Sequence, residues 1–169
     1  IGLSLVGSEM CIRDRDKKEY FGNCQDIILK LGESIPILGI CLGMQGIVHS
    51  FGGKIIHAKE PMHGKISFLL HDEKGIYEKI PQNIEIMRYH SLVVDIETLP
   101  DCFDINGISQ ENDNKNNILE IKQITPKCEI MAISHKIYPI YGIQYHPESF
   151  GSEGGIEILQ NFLFNDNGA

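Results

Sequence analysis

Residues 38–45 read Leu38-Gly39-Ile40-Cys41-Leu42-Gly43-Met44-Gln45, which sets a single cysteine between two glycines. The apolar run before it, Ile35-Pro36-Ile37-Leu38, is typical of a strand that is buried on both faces of a sheet. A strand that breaks at this turn into a helix over residues 42–51 would hold the cysteine sulfur on a tight elbow. There the sulfur faces the unpaired N–H groups of the helix, which favour a thiolate. The pattern therefore predicts a nucleophile at Cys41.

The segments around this elbow alternate between helical and strand patterns. Apolar residues recur at helical spacing over residues 20–31, and Gly32 is placed to end that helix. An amphipathic helix is predicted at Gly155–Phe164, and the asparagine-rich segment 106–117 is predicted to be a loop. Apolar or alternating runs predict strands at residues 54–58, 83–89, 118–124, 129–133 and 140–145. This order of elements predicts an α/β fold with an open, mostly parallel sheet flanked by helices.

Composition narrows the class of protein. A chain of 169 residues, of which 42% are hydrophobic, is long enough for one domain with a substantial core. The net charge of −8 gives no basic surface for nucleic acid, and no apolar run is long enough to span a membrane. Five widely spaced cysteines without a CxxC pair predict neither a disulfide framework nor a zinc site. We therefore expect a cytoplasmic protein that acts on a small molecule without a metal or cofactor.

The first residues are unlike the rest of the chain. Residues 1–15 lack an initiator methionine, a basic leading segment and a sustained apolar stretch, so they do not resemble a signal peptide. Residues 6–15 resemble a scar of adaptor sequence translated at the end of a fragmentary environmental reading frame; the alternative is an ordinary N-terminal arm. The predicted organisation is a non-native scar at residues 1–15, one domain at residues 16–165 and a tail at residues 166–169.

A cysteine nucleophile needs a base, and the base needs a group that holds its tautomer. The candidates are His146 and Glu148, which follow the predicted strand at residues 140–145. His146 could exchange a proton near neutral pH, and Glu148 could accept the other ring N–H. Taken alone, a histidine at this position is more often a structural loop residue than a base. The elbow at Cys41 and the nearby carboxylate favour the catalytic interpretation.

Most other cysteines and histidines are predicted to be structural. Gln45 lies about one helical turn after Cys41, on the same helix face, so it is either a solvated side chain or a substrate contact. The residues predicted to have core, surface or other structural positions are Cys24, Cys102, Cys128, His49, His57, His71 and His135.

Five sequence blocks together resemble those of class I glutamine amidotransferase domains. The resemblance covers about residues 16–164. It is most specific for the glutaminase subunit of anthranilate synthase or of aminodeoxychorismate synthase. The blocks are Gly39-Ile40-Cys41-Leu42-Gly43-Met44-Gln45, Phe51-Gly52-Gly53, His63-Gly64-Lys65, Arg88-Tyr89-His90-Ser91-Leu92 and Gly142-Ile143-Gln144-Tyr145-His146-Pro147-Glu148-Ser149.

The resemblance implies a flavodoxin-like fold and a role for each matching residue. Cys41 would attack the carboxamide carbon of L-glutamine to form a thioester, His146 would move the protons, and Glu148 would orient His146. Leu42 would offer a backbone N–H to the oxyanion. For substrate binding, the resemblance implies a contact from Gln45 and a site for the amino-acid end of glutamine at Ser91 and Leu92.

The chain departs from the family pattern in two places. Met44 stands where the anthranilate synthase subfamily usually has histidine, although other class I amidotransferases carry methionine there. The family also places a Gly-Pro-Gly loop upstream, which supplies a second oxyanion donor, and no such motif occurs before Tyr20. The resemblance therefore implies that the first strands of the sheet and this donor are missing.

The implied function is glutamine hydrolysis that supplies ammonia to a chorismate-using synthase subunit in tryptophan biosynthesis. Three alternatives stay open at this point. The chain could serve aminodeoxychorismate synthesis, or another class I pathway such as guanylate or carbamoyl phosphate synthesis. It could also be an inactive, truncated fragment that only binds a partner.

Overall fold

The computed structural model describes residues 2–4, 23–110 and 128–164, and for residues 2–4 it describes the backbone alone. Within these residues the chain forms nine strands and three α-helices. The helices are α1 Cys24–Leu31, α2 Leu42–Ser50 and α3 Gly155–Phe164. The strands are β1 Gly2–Ser4, β2 Ile37–Ile40, β3 Ile55–His57, β4 Lys65–His71, β5 Ile84–Arg88, β6 Leu92–Val94, β7 Phe103–Gln110, β8 Ile130–His135 and β9 Ile140–Ile143.

Seven of these strands form one mixed sheet in the order β1-β2-β9-β8-β7-β4-β5, and β3 pairs with β6 separately. The pairings β1–β2 and β2–β9 are parallel. The other four pairings of the large sheet are antiparallel. The α/β class with flanking helices is confirmed. The parallel arrangement is limited to one end of the sheet, so the sheet is mixed rather than mostly parallel.

Strand β2 lies in the middle of the core because its side chains alternate between two apolar clusters. Ile37 packs in the cluster that contains Met44 and Ile47 of α2. Leu38 and Ile40 point to the opposite face, in the cluster that contains Ile158 of α3. The sheet is therefore a central layer with α1 and α2 on one face and α3 on the other.

The predicted helices agree well with the structure. Helix α3 has the predicted bounds, and α2 ends at Ser50, one residue before the predicted end. Helix α1 is described from Cys24 onward, so its predicted start at Tyr20 lies outside the described residues. Strands β2, β3, β5, β8 and β9 each overlap a predicted strand, with bounds that differ by one or two residues.

The strand predictions fail in the middle of the chain. Strands β4, β6 and β7 were not predicted, and β7 contains residues 106–110 of the predicted loop 106–117. The predicted strand at residues 118–124 lies outside the described residues, as do residues 5–22 and 165–169. Gly2–Ser4 pairs with Leu38, Gly39 and Ile40 of β2. The non-native origin of residues 1–15 and the boundaries at residues 16 and 165 stay predictions.

Candidate active site

The cysteine elbow has the predicted geometry. Cys41 lies between β2 and α2 with φ 52° and ψ −103°, a backbone conformation that L-residues rarely adopt. A Cβ placed on Gly39 would lie 2.6 Å from the Gly43 carbonyl carbon, so these two glycines let the strand and the helix approach closely. The Cys41 N–H donates a hydrogen bond of 2.6 Å to the Ile143 carbonyl of β9. The elbow is therefore held by its backbone.

Helix α2 presents its N-terminus to this cysteine. Cys41 is the N-cap residue, and its carbonyl accepts the Gln45 N–H at 3.2 Å. The N–H groups of the first turn, including that of Leu42, have no acceptor inside the helix and carry partial positive charge. This environment favours the thiolate form of Cys41 and an oxyanion bound next to it. The arrangement agrees with the role expected for the Leu42 backbone.

The predicted base lies in the loop that follows β9. His146 Nδ1 is 2.6 Å from Glu148 Oε1, which pairs the ring with the carboxylate as predicted. The His146 side chain is 14% exposed and that of Glu148 is 45% exposed. The edge of the Tyr89 ring meets the His146 ring, with centroids 5.4 Å apart and planes at 79°. The imidazole is thus oriented by Glu148 while part of its surface stays accessible.

The backbone of this loop is fixed by contacts with β5 and α3. The His146 N–H donates to the Met87 carbonyl at 3.1 Å. The Ser152 hydroxyl donates to the His146 carbonyl at 2.6 Å and accepts the Met87 N–H at 3.0 Å. A Cβ on Gly155 would lie 1.9 Å from the Pro147 carbonyl oxygen, so the start of α3 rests directly on the loop.

Neighbouring parallel strands bring the cysteine and the histidine to one edge of the sheet. Ile40 of β2 pairs with Ile143 of β9, and each strand ends at that residue. Cys41 follows the first strand directly, and His146 comes shortly after the second. Open sheets bind their ligands beyond the carboxyl ends of parallel strands. The fold therefore places the predicted nucleophile and base at the same edge of the sheet.

Of the three residues predicted to bind the substrate, Gln45 and Leu92 are buried and Ser91 is more accessible. Gln45 is 2% exposed, which excludes the solvated alternative, and its Nε2 donates to the Leu92 carbonyl at 3.0 Å. Leu92 is buried at the start of β6. Ser91 is half-buried, and its carbonyl accepts the Ala58 N–H at 2.9 Å. The structure thus joins Gln45 to the Ser91-Leu92 segment beside the elbow.

A buried polar network next to Ser91 was not found by sequence reasoning. Arg88, which is 1% exposed, forms an ion pair with Glu129 and donates to Ser67 Oγ at 3.0 Å. Its Nε also donates to His90 Nε2 at 3.1 Å. Burial, and secondarily the Arg88 guanidinium, lower the pKa of His90 to about 3. Arg88 and His90 lie in one of the five blocks of the family resemblance, but the resemblance assigned neither of them a role.

Gln144 lies near the sulfur of Cys41, and sequence reasoning assigned it no role. It is fully buried, and its Nε2 lies 3.6 Å from Cys41 Sγ. Its Oε1 accepts a hydrogen bond of 3.1 Å from Gln45 Nε2. The amide therefore links two of the predicted site residues.

The remaining cysteines and most of the remaining histidines were predicted to be structural. Cys24, Cys102 and Cys128 are half-buried, and burial raises the pKa of the Cys102 thiol. The imidazole of His71 stacks on Tyr77 and that of His135 stacks on Tyr138. Across the described ranges 23–110 and 128–164, no helix is long and apolar enough to cross a membrane.

Comparison with known proteins gives the family. The class-I glutamine amidotransferase family model matches residues 14–165. This chain belongs to the class-I glutamine amidotransferase family. It is 45% identical over 144 residues to anthranilate synthase component 2 of Leptospira biflexa, covering 85% of this chain and 66% of that protein. It is 38% identical over 138 residues to aminodeoxychorismate synthase component 2 of Escherichia coli K12, covering 82% of this chain and 65% of that protein.

Solved structures agree with the fold. A glutamine amidotransferase of Thermotoga maritima superposes with a TM-score of 0.58 at 19% identity, over 86% of this chain and 53% of that chain. A protein of Thermoplasma acidophilum superposes with a TM-score of 0.68 at 27% identity, over 86% of this chain and 63% of that chain. The chain spans about two thirds of the length of the two component 2 proteins.

Proposed function

We propose that this chain hydrolyses L-glutamine to glutamate and ammonia as the glutaminase part of an anthranilate synthase. The observation that carries the proposal is that the cysteine elbow and the His146–Glu148 pair follow two adjacent parallel strands at the same edge of the sheet. The similarity to anthranilate synthase component 2 of Leptospira biflexa supports this particular synthase.

The chemistry would proceed in two halves. The Cys41 thiolate attacks the carboxamide carbon, and the resulting oxyanion is stabilised by the Leu42 N–H at the start of α2. His146 then protonates the departing ammonia, which leaves a γ-glutamyl thioester on Cys41. In the second half His146 takes a proton from water, the water attacks the thioester carbon, and glutamate leaves as the thiolate re-forms. One oxyanion donor in such a site contributes about 10²- to 10³-fold in rate.

The substrate would lie between the elbow and the Ser91-Leu92 segment. Gln45 Nε2 donates to the Leu92 carbonyl, so two of the residues expected to contact the substrate are joined directly. The half-buried Ser91 lies at the start of this segment, where the amino-acid end of glutamine would bind. Ammonia would pass to a chorismate-using synthase subunit in the cytoplasm. That subunit would use the ammonia in a lyase reaction of tryptophan biosynthesis.

The test compares two nitrogen sources in the reconstituted complex. This chain is combined with anthranilate synthase component 1, and anthranilate is measured with glutamine or with ammonium as the donor. Cys41→Ala should abolish the glutamine-dependent synthesis and leave the ammonia-dependent synthesis intact. Cys102→Ala removes another half-buried thiol and should leave both intact. Glutamine-dependent synthesis that survives in Cys41→Ala would show that Cys41 is not the nucleophile.

Labelling tests the same assignment without a partner. Diazo-oxo-norleucine, an electrophile that mimics glutamine, should label Cys41 in preference to the other cysteines. Labelling spread over the cysteines according to their exposure would contradict an activated thiol at the elbow.

A second candidate is the glutaminase part of aminodeoxychorismate synthase, which the 38% identity to the Escherichia coli component 2 favours. Replacing component 1 of anthranilate synthase with component 1 of aminodeoxychorismate synthase in the same assay separates the two. A chain that binds either partner without glutamine-dependent turnover would instead be an inactive binding fragment.

A further inference from the structure

Gln144 is a fully buried residue whose side chain contacts the sulfur of Cys41. It is the residue after β9, its side chain has no exposed surface, and its amide nitrogen lies 3.6 Å from Cys41 Sγ. Its amide oxygen lies 3.1 Å from Gln45 Nε2, and that nitrogen also lies 3.0 Å from the Leu92 carbonyl. Two amides thus connect a backbone carbonyl to the sulfur.

The direction of this chain of hydrogen bonds follows from its first member. A backbone carbonyl can only accept a hydrogen bond, so the Gln45 amide must turn its NH₂ group toward Leu92. The same NH₂ group faces Gln144, so Gln144 must turn its oxygen toward Gln45. The NH₂ group of Gln144 is thereby left to face Cys41 Sγ as a donor.

We propose that Gln144 is a positioning residue that donates a hydrogen bond to the Cys41 sulfur and stabilises its thiolate, with its amide oriented by Gln45 and the Leu92 carbonyl. The proposal rests on the function proposed above, since it assigns how that nucleophile is held. A hydrogen bond donated to the charged form of a group lowers the pKa of that group. Gln144 therefore acts together with the N-terminus of α2, which favours the thiolate as well.

The position of Gln144 also couples the two halves of the site. Gln144 precedes His146 by two residues. The chain segment after β9 therefore carries both the donor to the sulfur, Gln144, and the proposed base, His146. The Cys41 N–H donates to Ile143 of the same strand, which fixes the elbow against the residue before Gln144. A shift of this strand end would move both the donor and the base relative to the nucleophile.

The experiment measures the pH dependence of Cys41 alkylation by iodoacetamide, read at each cysteine by peptide mass spectrometry. Gln144→Met keeps the length of the side chain and removes the donor. Its Cys41 profile should move to higher pH, with alkylation near pH 7 slowed about threefold to tenfold. Gln144→Glu keeps an acceptor for Gln45 and places a carboxylate at the sulfur, so its profile should move further in the same direction.

Two controls separate this effect from a general disturbance. Tyr145→Phe alters the neighbouring residue, which is also fully buried, and removes a hydroxyl that bonds Tyr77 and not Cys41. It should leave the Cys41 profile unchanged. The Cys102 profile in each variant serves as an internal reference.

A measurement on the unaltered chain covers the case in which the variants fail to fold. As pH is raised, the side-chain amide signals of Gln144 in nitrogen-15 NMR spectra should shift. The midpoint of that shift should equal the midpoint of the Cys41 alkylation profile. The amide of Asn161, which donates to the backbone carbonyls of Ile76 and Glu78, should not shift. Stationary Gln144 signals, or an unshifted Cys41 profile in folded Gln144→Met, would overturn the proposal.

These outcomes are independent of glutamine turnover. A complex that makes no anthranilate from glutamine, combined with a shifted Cys41 profile in Gln144→Met, would overturn the proposed function and keep the role of Gln144. Normal turnover with an unshifted profile would do the reverse.

Discussion

The cysteine half of the site is held by backbone packing, whereas the histidine half is held by polar side-chain contacts. Cys41 sits at a positive φ angle where Gly39 meets the backbone of Gly43. His146 depends on the Glu148 carboxylate and on the Ser152 hydroxyl. The proposed nucleophile therefore sits on a rigid elbow, while the proposed base keeps a partly accessible ring. Substitutions in the two halves should fail in different ways.

The largest effect expected in the histidine half is that of His146→Ala. His146→Ala removes the proton carrier and should lower kcat/KM for glutamine about 10²- to 10⁴-fold, with ammonia-dependent synthesis unchanged. Glu148→Gln leaves the imidazole in place without its carboxylate partner, so its loss should be smaller. Steady-state kinetics of the complex with each nitrogen source give both values. Rates near that of the unaltered chain in both variants would refute the His146–Glu148 assignment.

In the cysteine half, the expected failure is steric. Gly39→Ala would set a methyl group 2.6 Å from the Gly43 carbonyl carbon and 2.7 Å from its oxygen, both of them backbone atoms. We expect unfolding free energy to fall by about 1–3 kcal/mol and glutamine turnover to fall with it. Thermal and denaturant unfolding measure the first, and the coupled assay measures the second.

Gly142→Ala is the matched control for this steric effect. Its methyl group would approach Met44 Cγ at 2.8 Å and Ile133 Cγ1 at 2.9 Å, and these side-chain atoms can shift more readily than backbone. The destabilisation should therefore be smaller than in Gly39→Ala. An equal or larger loss in Gly142→Ala would show that close backbone approach is not what holds the elbow.

Strands β2 and β9 at the parallel end of the sheet were predictable because both are almost wholly apolar. Every residue of β2 is buried, so the run 35–41 resembles a fully covered strand, and the glycines around Cys41 mark the turn. Strand β7 has no such pattern, since its register against β8 shifts between Ile105 and Ile108 and breaks the alternation. Strand β4 begins exposed and ends buried on both faces, so its seven residues follow no single period.

The same contrast applies to the site. Cys41, His146 and Glu148 belong to short motifs whose spacing is visible in the sequence. Gln144 becomes a site residue through Cys41 and Gln45, which are 103 and 99 positions away. Arg88 joins its network through Glu129, which is 41 positions away. Contacts of this range depend on the strand order of the sheet, which no local pattern predicts.

A smaller effect is expected at His90, the buried counterpart of the accessible His146. Because the pKa of His90 is lowered to about 3 in the folded state, the unfolded chain binds an extra proton below pH 6.5. Stability should therefore fall as pH drops from about 6.5 toward 3. His90→Gln removes this contribution and should flatten the slope by up to about 1.4 kcal/mol per pH unit.

Urea unfolding at a series of pH values measures this slope. His57→Gln, at an exposed position of β3, should keep the slope of the unaltered chain. A slope in His90→Gln equal to that of the unaltered chain would mean that His90 is not held neutral by burial beside Arg88.

The smallest effect is expected where a single hydroxyl supports the histidine loop. Ser152→Ala leaves the Met87 N–H without its acceptor and the His146 carbonyl without this donor, but the direct bond from the His146 N–H to Met87 remains. We expect a loss of about 1 kcal/mol in unfolding free energy and a fall in kcat with little change in KM, because the loop carries the base and not the substrate contacts. Ser149→Ala removes a hydroxyl from the same loop and keeps the Ser149 N–H bond to the His146 carbonyl, so it serves as the control. If Ser149→Ala and Ser152→Ala lower kcat equally, the hydroxyl bridge to Met87 does not position His146, and the histidine half is held by its backbone as the cysteine half is.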